Sequence, residues 1–287
     1  MELVLGKKRL HDETATLAES DVTEDSGVVA VISKRIVRLD DKAACDLNDP
    51  DRAVVLDIPD GTPAISAGAF ANCSSVAIVV IPDSVTAIGH EAFRGCSSLT
   101  SLIIPESVTE IGDEAFCRCS SLSSLTIPES VTEIGARAFS GCSSLTSLTI
   151  PESVTELGNE AFRGCSSLTT LTIPESESVT EIGHVAFRDC SSLTSLIIPE
   201  SVTEIGHEAF RACSSLTSLI IPQSVTEIGD KAFSGCSSLT CMTIPDSVIK
   251  MGTGAFLGCT SLRKLSLSGS WQNRVLGHPP RCEVVLR

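Results

Sequence analysis

The chain has 287 residues, with 36 acidic and 21 basic side chains and a formal net charge of −15. This charge excludes the basic surface that nucleic-acid binding needs, and no apolar run approaches the ~18 residues of a membrane-spanning helix. The 42% apolar content supplies a core and argues against global disorder.

The first 53 residues contain a polar segment followed by an apolar one. Residues 12–26 (DETATLAESDVTEDS) predict a linker or a disordered segment. Residues 28–39 (VVAVISKRIVRL) are rich in β-branched residues without proline, which favours one or two strands. We interpret residues 1–53 as an N-terminal acidic segment and cap; the alternative is a docking segment for a partner.

Residues 54–267 repeat a unit of 23 residues. Every phenylalanine occupies the same position of the unit, and successive ones are 23 residues apart, except for 25 between Phe162 and Phe187, where Glu177-Ser178 is inserted. The nine are Phe70, Phe93, Phe116, Phe139, Phe162, Phe187, Phe210, Phe233 and Phe256. A fixed period of 20–50 residues is the signature of a solenoid, in which each unit packs only on its neighbours.

The first half of the unit predicts a strand with an inward-facing apolar side. In SSLTSLIIP, Leu99, Leu102 and Ile104 have the spacing of such a strand. Pro105 ends it, because proline has no N–H to give to the next strand.

The second half predicts another extended segment and a compact turn. Val108 and Ile111 alternate as in a second, outer strand, and Gly112 predicts a corner that needs a positive φ or a close backbone approach. A helical or 3₁₀ turn is expected at Ala115-Phe116, and Cys119 is expected to point inward.

The last 20 residues break the repeat. Residues 268–287 lack its pattern and predict a C-terminal cap, in which Trp271 packs over the last unit. Solenoid ends need caps because they expose apolar side chains.

The unit SVTEIGxxAFxGCSSLTSLTIPE resembles the BspA-like leucine-rich repeat, found in bacterial surface antigens and in mucosal protozoa. The Ile-Pro, Ile-Gly, Ala-Phe and Gly-Cys pairs carry the resemblance over residues 54–267. The resemblance implies a curved or twisted solenoid with a parallel sheet along its concave face. It also implies a binding role, in some members adhesion to host proteins.

The predicted fold is therefore a leucine-rich-repeat solenoid of nine units. We expect mostly β structure, with one parallel strand per repeat and short helical or 3₁₀ turns, capped at both ends.

The outward positions of the predicted concave strands form the candidate binding face. They are Ser101, Ile103, Ser124, Thr126, Ser147, Thr149, Thr170, Thr172, Ser195, Ile197, Ser218 and Ile220. This face has no aromatic or arginine residues, which dominate most binding hot spots, so a partner would bind weakly or by avidity over many units.

Two columns of glutamate account for much of the acidic charge. They are Glu110, Glu133, Glu156, Glu181, Glu204 and Glu227, and Glu106, Glu129, Glu152, Glu175 and Glu200. A solvated outer face is the simpler interpretation; the alternatives are cation binding between carboxylates and a partner-binding face. Arg94, Arg163, Arg188 and Arg211 follow the phenylalanines and can pair with nearby carboxylates such as Glu91, Glu160 and Glu208, three residues earlier.

Nine cysteines form a column three residues after the phenylalanines, and they predict a reduced, buried ladder. Cys117 and Cys241 occupy other positions and are the expected reactive thiols. His184, His207 and Asp230 lie in consecutive units, which makes a weak metal site geometrically conceivable, but we assign no metal or cofactor.

No catalytic motif is present, so an enzyme is not expected. The sequence predicts a non-enzymatic, monomeric module that binds proteins and has no nucleic-acid partner and no membrane span. Because the start MELVLGKKRLHDET lacks the apolar region of a signal peptide, a cytoplasmic location is expected. The alternatives are a cell-surface or secreted adhesin or antigen and, less favoured, an ice- or mineral-binding structural protein.

Overall fold

The structure is a computed structural model that describes residues 35–38, 53–175, 179–267 and 282–286. Within these ranges the chain forms β-strands and turns and contains no helix. Each unit contributes a longer strand, a two-residue strand and a turn segment, and these stack on their counterparts in the next unit. The result is a parallel β-solenoid of about nine turns.

The longer strands stack in parallel on one side of the molecule, which we call the long-strand face. They are β1 (Arg35–Arg38), β2 (Val54–Asp57), β4 (Val76–Val80), β6 (Ser101–Ile103), β8 (Ser124–Thr126), β10 (Ser147–Thr149), β12 (Thr170–Thr172), β14 (Ser195–Ile197), β16 (Ser218–Ile220), β18 (Cys241–Thr243), β20 (Lys264–Leu267) and β21 (Glu283–Leu286). Regular pairing groups them as β1-β2-β4-β6-β8, β10-β12, β14-β16 and β18-β20-β21.

The two-residue strands form a second parallel stack, the short-strand face. They are β3 (Ala64–Ile65), β5 (Ala87–Ile88), β7 (Glu110–Ile111), β9 (Glu133–Ile134), β11 (Glu156–Leu157), β13 (Glu181–Ile182), β15 (Glu204–Ile205), β17 (Glu227–Ile228) and β19 (Lys250–Met251). The pairing runs from β3 to β11 and from β13 to β19. It stops between β11 and β13, where the unit is two residues longer.

The ends of the described solenoid carry one additional strand each. β1 pairs in parallel with β2, and β21 pairs in parallel with β20. Residues 1–34 and 39–52, the insertion Glu177-Ser178 and Trp271 lie outside the described residues. The domain boundaries at residues 53 and 267 and the capping roles therefore remain predictions.

The core contains the side chains that the repeat predicts to point inward. Leu99, Leu102, Ile104, Val108 and Ile111 are all buried, as are their counterparts in the neighbouring units except Leu125, which is partly buried. One unit cannot bury this set alone, so the apolar surface of each unit is removed from water by the next.

The phenylalanine rings form a continuous stack through the core. Neighbouring ring centroids are 5.2–5.8 Å apart and the rings are nearly parallel, with angles of 3–14°. This is the offset-stacked geometry that aromatic pairs prefer. The stack continues past the longer unit, because Phe162 and Phe187 are 5.6 Å apart.

The turn segment forms the third side, the turn face, and it corrects the prediction of helical or 3₁₀ turns. In one unit Ala92 N donates to Gly89 O and Cys96 N donates to Phe93 O, both at 3.2 Å, which closes two β-turns. The third residues of these turns, Glu91 and Gly95, have φ of 54° and 72°. A right-handed helix needs a negative φ at every residue, so it cannot continue through either position.

Backbone hydrogen bonds between units replace helical ones on the turn face. Glu91 N donates to Asp113 O, Phe93 N to Ala115 O and Gly95 N to Cys117 O, at 2.7–2.8 Å. The pattern recurs along the turn face, so each side of the solenoid is tied to the next unit by its main chain.

The corner glycines are required by close approach and not by a positive φ. A Cβ at Gly158 would lie 2.5 Å from Ala136 N and Gly135 C, which no side chain tolerates. The left-handed glycines are in a different column, represented by Gly164 at φ 73°, where a Cβ would have room. The unit thus uses glycine in two ways, one steric and one conformational.

The cysteine column is buried from Cys96 to Cys259, as predicted, and Cys73 at its start is partly buried. In this column Cys96 Sγ donates to Phe70 O at 3.2 Å, and this bond to the preceding unit recurs up to Cys259. Burial raises the pKa of Cys165 to about 12 and holds the pKa of Cys142 well above its usual value. Thiolates, the reactive form, are therefore suppressed along the column.

The prediction that Cys117 is a reactive thiol is wrong. Its side chain is buried, and this burial raises its pKa against the opposing effect of the nearby arginine charges. Cys241 is exposed on the long-strand face, as expected.

Replacing Phe139 by alanine should lower the free energy of unfolding by about 3–5 kcal/mol, because it leaves a cavity between the rings of Phe116 and Phe162. Urea unfolding followed by circular dichroism measures this. The matched control is Thr149→Ala, an exposed change in the same unit that should stay within about 0.5 kcal/mol of the wild type. A Phe139→Ala variant as stable as that control would refute the role of the ring stack.

Iodoacetamide should modify Cys241 in the folded chain and leave Cys117 and Cys142 unmodified, because only the first thiol is exposed. Peptide mapping by mass spectrometry gives the labelled fraction at each position. In denaturant all three should react, which shows that folding protects them. Labelling of Cys142 in the native protein as fast as Cys241 would contradict a closed cysteine column.

Candidate functional site

The candidate binding residues all lie on the long-strand face. Parallel register places Ser101 beside Ser124 and Ile103 beside Thr126, and the same alignment recurs in β10-β12 and β14-β16. Eleven of the twelve predicted residues are exposed, and Ser101 is half-buried. Sequence reasoning therefore placed these side chains on one surface correctly; that the surface binds a partner remains a prediction.

Three isoleucines are the most prominent apolar groups of the long-strand face. Ile103, Ile197 and Ile220 are 67%, 65% and 69% exposed. Ile197 and Ile220 are directly opposite each other in β14 and β16 and form one apolar patch. Exposed isoleucines gain no burial within this chain, so a partner could cover them.

Hydroxyl groups occupy the remaining outward positions of this face. Within the described residues the side chains of Ser124, Thr126, Ser147 and Thr149 form no hydrogen bond to another protein group and so face solvent. In contrast, the preceding threonine column is used internally, as where Thr169 Oγ1 donates to Thr146 O at 3.0 Å. From β6 to β18 the outward positions carry no charged residue.

The short-strand face is acidic. Glu110 lies beside Glu133 and Glu133 beside Glu156, in parallel register, and the same alignment links the glutamates of β13, β15 and β17. Equal charges are therefore stacked at a strand spacing of ~4.8 Å. The column ends at Lys250, whose ammonium group pairs with Glu227.

The turn face carries a charge ladder that alternates in sign. Arg94 pairs with Glu91 and with Glu114 at 3.5 Å, and Arg137 links Glu114 at 3.3 Å to Glu160 at 2.8 Å. The predicted pairs of Arg94, Arg163 and Arg211 with the glutamates three residues earlier are confirmed. The links between units were not predicted from the sequence.

Two glutamates are the centres of the ladder. The hydrogen bond from Arg137 holds the pKa of Glu160 below its usual value, against the opposing effect of burial. For Glu208, burial opposes ionisation, but the hydrogen bond from Arg211 and the charge of Arg188 outweigh it and lower the pKa. Both carboxylates are thus ionised at neutral pH.

The ladder is interrupted at Val185. Val185 occupies the column of Glu160 and Glu208 and has φ 61°, unusual for a β-branched residue. Arg188 therefore has no glutamate three residues earlier and pairs with Glu208 of the next unit at 2.7 Å.

His184 and Asp230 occupy the same position of the repeat and have a structural use, because each accepts a backbone N–H of the following unit. His184 Nδ1 accepts the backbone N–H of His207 at 2.9 Å, and Asp230 Oδ1 accepts that of Thr253 at 2.6 Å. A shallow cavity of about 200 Å³ lies beside His184 and His207 and is lined by carboxylates and Lys250. Among the described residues, no group of three or more His, Cys, Asp or Glu is arranged to hold a metal ion.

The described part of the chain contains no helix of the length and apolarity needed to cross a bilayer.

Solved structures of three other proteins resemble this chain. The pneumococcal vaccine antigen PcpA is 24% identical, with 75% of this chain and 62% of that chain covered and a TM-score of 0.55. A leucine-rich repeat protein from Eubacterium ventriosum is 23% identical, with 82% and 66% covered and a TM-score of 0.55. A leucine-rich cell surface protein from Faecalibacterium prausnitzii is 27% identical, with 89% and 83% covered and a TM-score of 0.47. The first two likenesses support the solenoid fold alone.

Sequence comparison identifies the repeat itself. No curated protein matches the chain. The family described as the BspA type leucine rich repeat region, with 6 copies, matches residues 63–194 and 180–274. The matched residues make up more than two-thirds of the chain and coincide with the stacked units; the chain therefore belongs to the BspA-type leucine-rich repeat family.

Proposed function

We propose that the chain is a non-enzymatic scaffold that binds a protein partner on its long-strand face. The observation that carries this proposal is the exposure of Ile103, Ile197 and Ile220 on a face without charged residues from β6 to β18. Leucine-rich repeat proteins are generally protein-interaction scaffolds, and membership of the BspA-type family supports the same class.

The dimensions of the long-strand face suit an extended protein surface. The seven strands from β6 to β18 span ~29 Å at a strand spacing of ~4.8 Å. The partner would cover the isoleucine patch. It would also form hydrogen bonds, as donor or acceptor, with the free hydroxyl groups of Ser124, Thr126, Ser147 and Thr149. Many modest contacts over several units would then supply the affinity, since aromatic and arginine anchors are absent from these strands.

The rim of this face points to the electrostatic character of the partner. Glu106, Glu129 and Glu152 follow the strands β6, β8 and β10 and are exposed along one edge. A partner with an apolar centre and basic residues on one side would complement this arrangement and would be oriented by it.

Adding a positive charge to the isoleucine patch should prevent partner binding. The double variant Ile197→Arg/Ile220→Arg, immobilised as the full chain, should retain at least tenfold less of its specific partner in affinity capture quantified by mass spectrometry. The matched control is Ile249→Arg, because Ile249 is 74% exposed but does not lie on the long strands. Equal recovery of every captured protein by the wild type, the double variant and the control would refute the proposed face.

A second candidate is a surface adhesin or antigen that binds host or extracellular proteins. Family membership favours it, because the BspA-like repeat is found in surface antigens. A closed, reduced cysteine column suits either side of a membrane, since its thiols are shielded from oxidants by burial.

Brief trypsin treatment of intact cells that produce the chain should release peptides of the solenoid if the chain lies at the cell surface. Mass spectrometry identifies the peptides, and an abundant cytosolic protein serves as the control for lysis. Recovery of the chain only after lysis, together with the cytosolic control, would remove the adhesin and leave the scaffold proposal in place.

A further inference from the structure

The long-strand face carries a second apolar patch toward its N-terminal end. Val80 in β4 is 48% exposed and Ile103 in β6 is 67% exposed. The parallel register of β4 and β6 brings these two side chains next to each other. We call them the N-terminal patch, and we call Ile197 and Ile220, which are paired in β14 and β16, the C-terminal patch.

Three units with only hydroxyl groups in their outward positions separate the two patches. These units contribute β8, β10 and β12, with the outward residues Ser124, Thr126, Ser147, Thr149, Thr170 and Thr172. Ile103 and Ile197 are four units apart, which is ~19 Å at a strand spacing of ~4.8 Å, and the centres of the two patches are ~24 Å apart. A partner that covers both patches must therefore extend along the stack, across the strands.

A row of carboxylates runs along one edge of the face between the same two patches. Its exposed members follow the strands from β6 to β14 and are Glu106, Glu129, Glu152, Glu175 and Glu200. The row begins three residues after Ile103 and ends three residues after Ile197. Its equal charges repel one another, and basic side chains of a partner would relieve this repulsion. The face therefore suits a partner with two apolar ends and basic residues on one side between them.

The main chain of the long-strand face is engaged between its own units. Ser123 N donates to Thr100 O at 3.0 Å, and Thr169 N donates to Thr146 O at 2.9 Å. Because backbone hydrogen bonds lie in the plane of a sheet, a partner on the face meets side chains. An extended segment there would lose water from its own N–H and C=O groups and find few replacements, whereas an α-helix satisfies them internally. One helical turn also advances ~5.4 Å, close to the ~4.8 Å between successive glutamates.

We propose that the partner docks on this face through an amphipathic, basic α-helix that lies across the strands. Apolar residues four turns apart lie on the same side of such a helix and are separated by ~22 Å, so they occupy the N-terminal and C-terminal patches. Lysine or arginine residues, about one per turn, lie above the glutamate row. The inference rests on the proposed function, since this helix is the part of the protein partner that contacts the long-strand face.

The test measures how a synthetic helical peptide of about 20 residues binds to the full chain, by fluorescence anisotropy. The peptide carries leucines four turns apart, one lysine per turn on the adjoining side, and alanine or glutamine elsewhere. The wild type should bind it saturably. A central proline, which breaks the helix, and replacement of the lysines by glutamates should each weaken binding at least tenfold.

Variants of the two patches show whether the helix uses both. Val80→Arg/Ile103→Arg and Ile197→Arg/Ile220→Arg should each weaken binding of the peptide at least tenfold. Ile249→Arg is the matched control and should leave binding unchanged, because Ile249 is exposed but lies outside the long strands. Urea unfolding of each variant verifies that the solenoid is intact.

The glutamate row is tested by Glu129→Gln/Glu152→Gln, which removes two charges and keeps the size of the side chains. This variant should bind the peptide more weakly and with a smaller dependence on salt concentration, because fewer charge pairs are screened. Unchanged affinity and unchanged salt dependence would overturn the basic character of the helix.

The remaining outcomes separate this inference from the proposed function. A loss confined to Ile197→Arg/Ile220→Arg would overturn the helix with two anchors and leave the long-strand face as a binding surface. Absence of saturable binding, or equal binding of the proline-containing peptide, would overturn the helical partner, while affinity capture still tests the face itself. A dimer of the chain in sedimentation that Ile197→Arg/Ile220→Arg abolishes would assign the face to a second copy and overturn the proposal.

Discussion

Backbone hydrogen bonds between successive units hold each residue beside its counterpart in the next repeat. On the turn face Phe93 N reaches Ala115 O at 2.7 Å, and on the short-strand face Glu110 is aligned with Glu133. Residues at the same position of the repeat therefore lie beside one another in space. A residue type whose side chain packs well against a copy of itself is stabilised in every unit. Phenylalanine stacks on phenylalanine and buried thiols bond to the preceding carbonyl, and the core is assembled from these columns.

The same alignment is unfavourable for charged side chains, because it places equal charges beside one another. The three faces of the molecule differ in how they reduce this repulsion. On the short-strand face glutamates are stacked on glutamates and rely on water and salt for screening. On the turn face Arg94, three residues after Glu91, also reaches Glu114 of the next unit. Arg137 stands in the glutamate column itself and places a positive charge between Glu114 and Glu160. The long-strand face avoids the problem because its outward residues are uncharged from β6 to β18.

Much of the fold follows from the period alone. A 23-residue period fixes which side chains lie beside one another. It therefore allowed us to predict the inward positions of Leu99, Leu102 and Phe116, the end of the strand before Pro105 and the exposure of Thr126. The conformation of the turn could not be predicted from the sequence, because Glu91 adopts a left-handed φ that glutamate rarely takes. Stacking on equivalent turns enforces this conformation. Cys117 was misplaced for the same reason: its direction depends on that turn. The candidate face could be located but its ligand could not, because uncharged hydroxyl groups and isoleucines indicate no particular chemistry.

The near-identity of the units has a consequence for how such a chain changes over time. Because each 23-residue segment offers the same interface above and below, recombination that adds or removes one whole unit joins two surfaces that already match. The length of the solenoid, and with it the length of every face, can then change without any compensating substitution in the core. The interval between Phe162 and Phe187 shows the tolerance of this arrangement, since two additional residues interrupt the short-strand pairing there and leave the ring stack continuous.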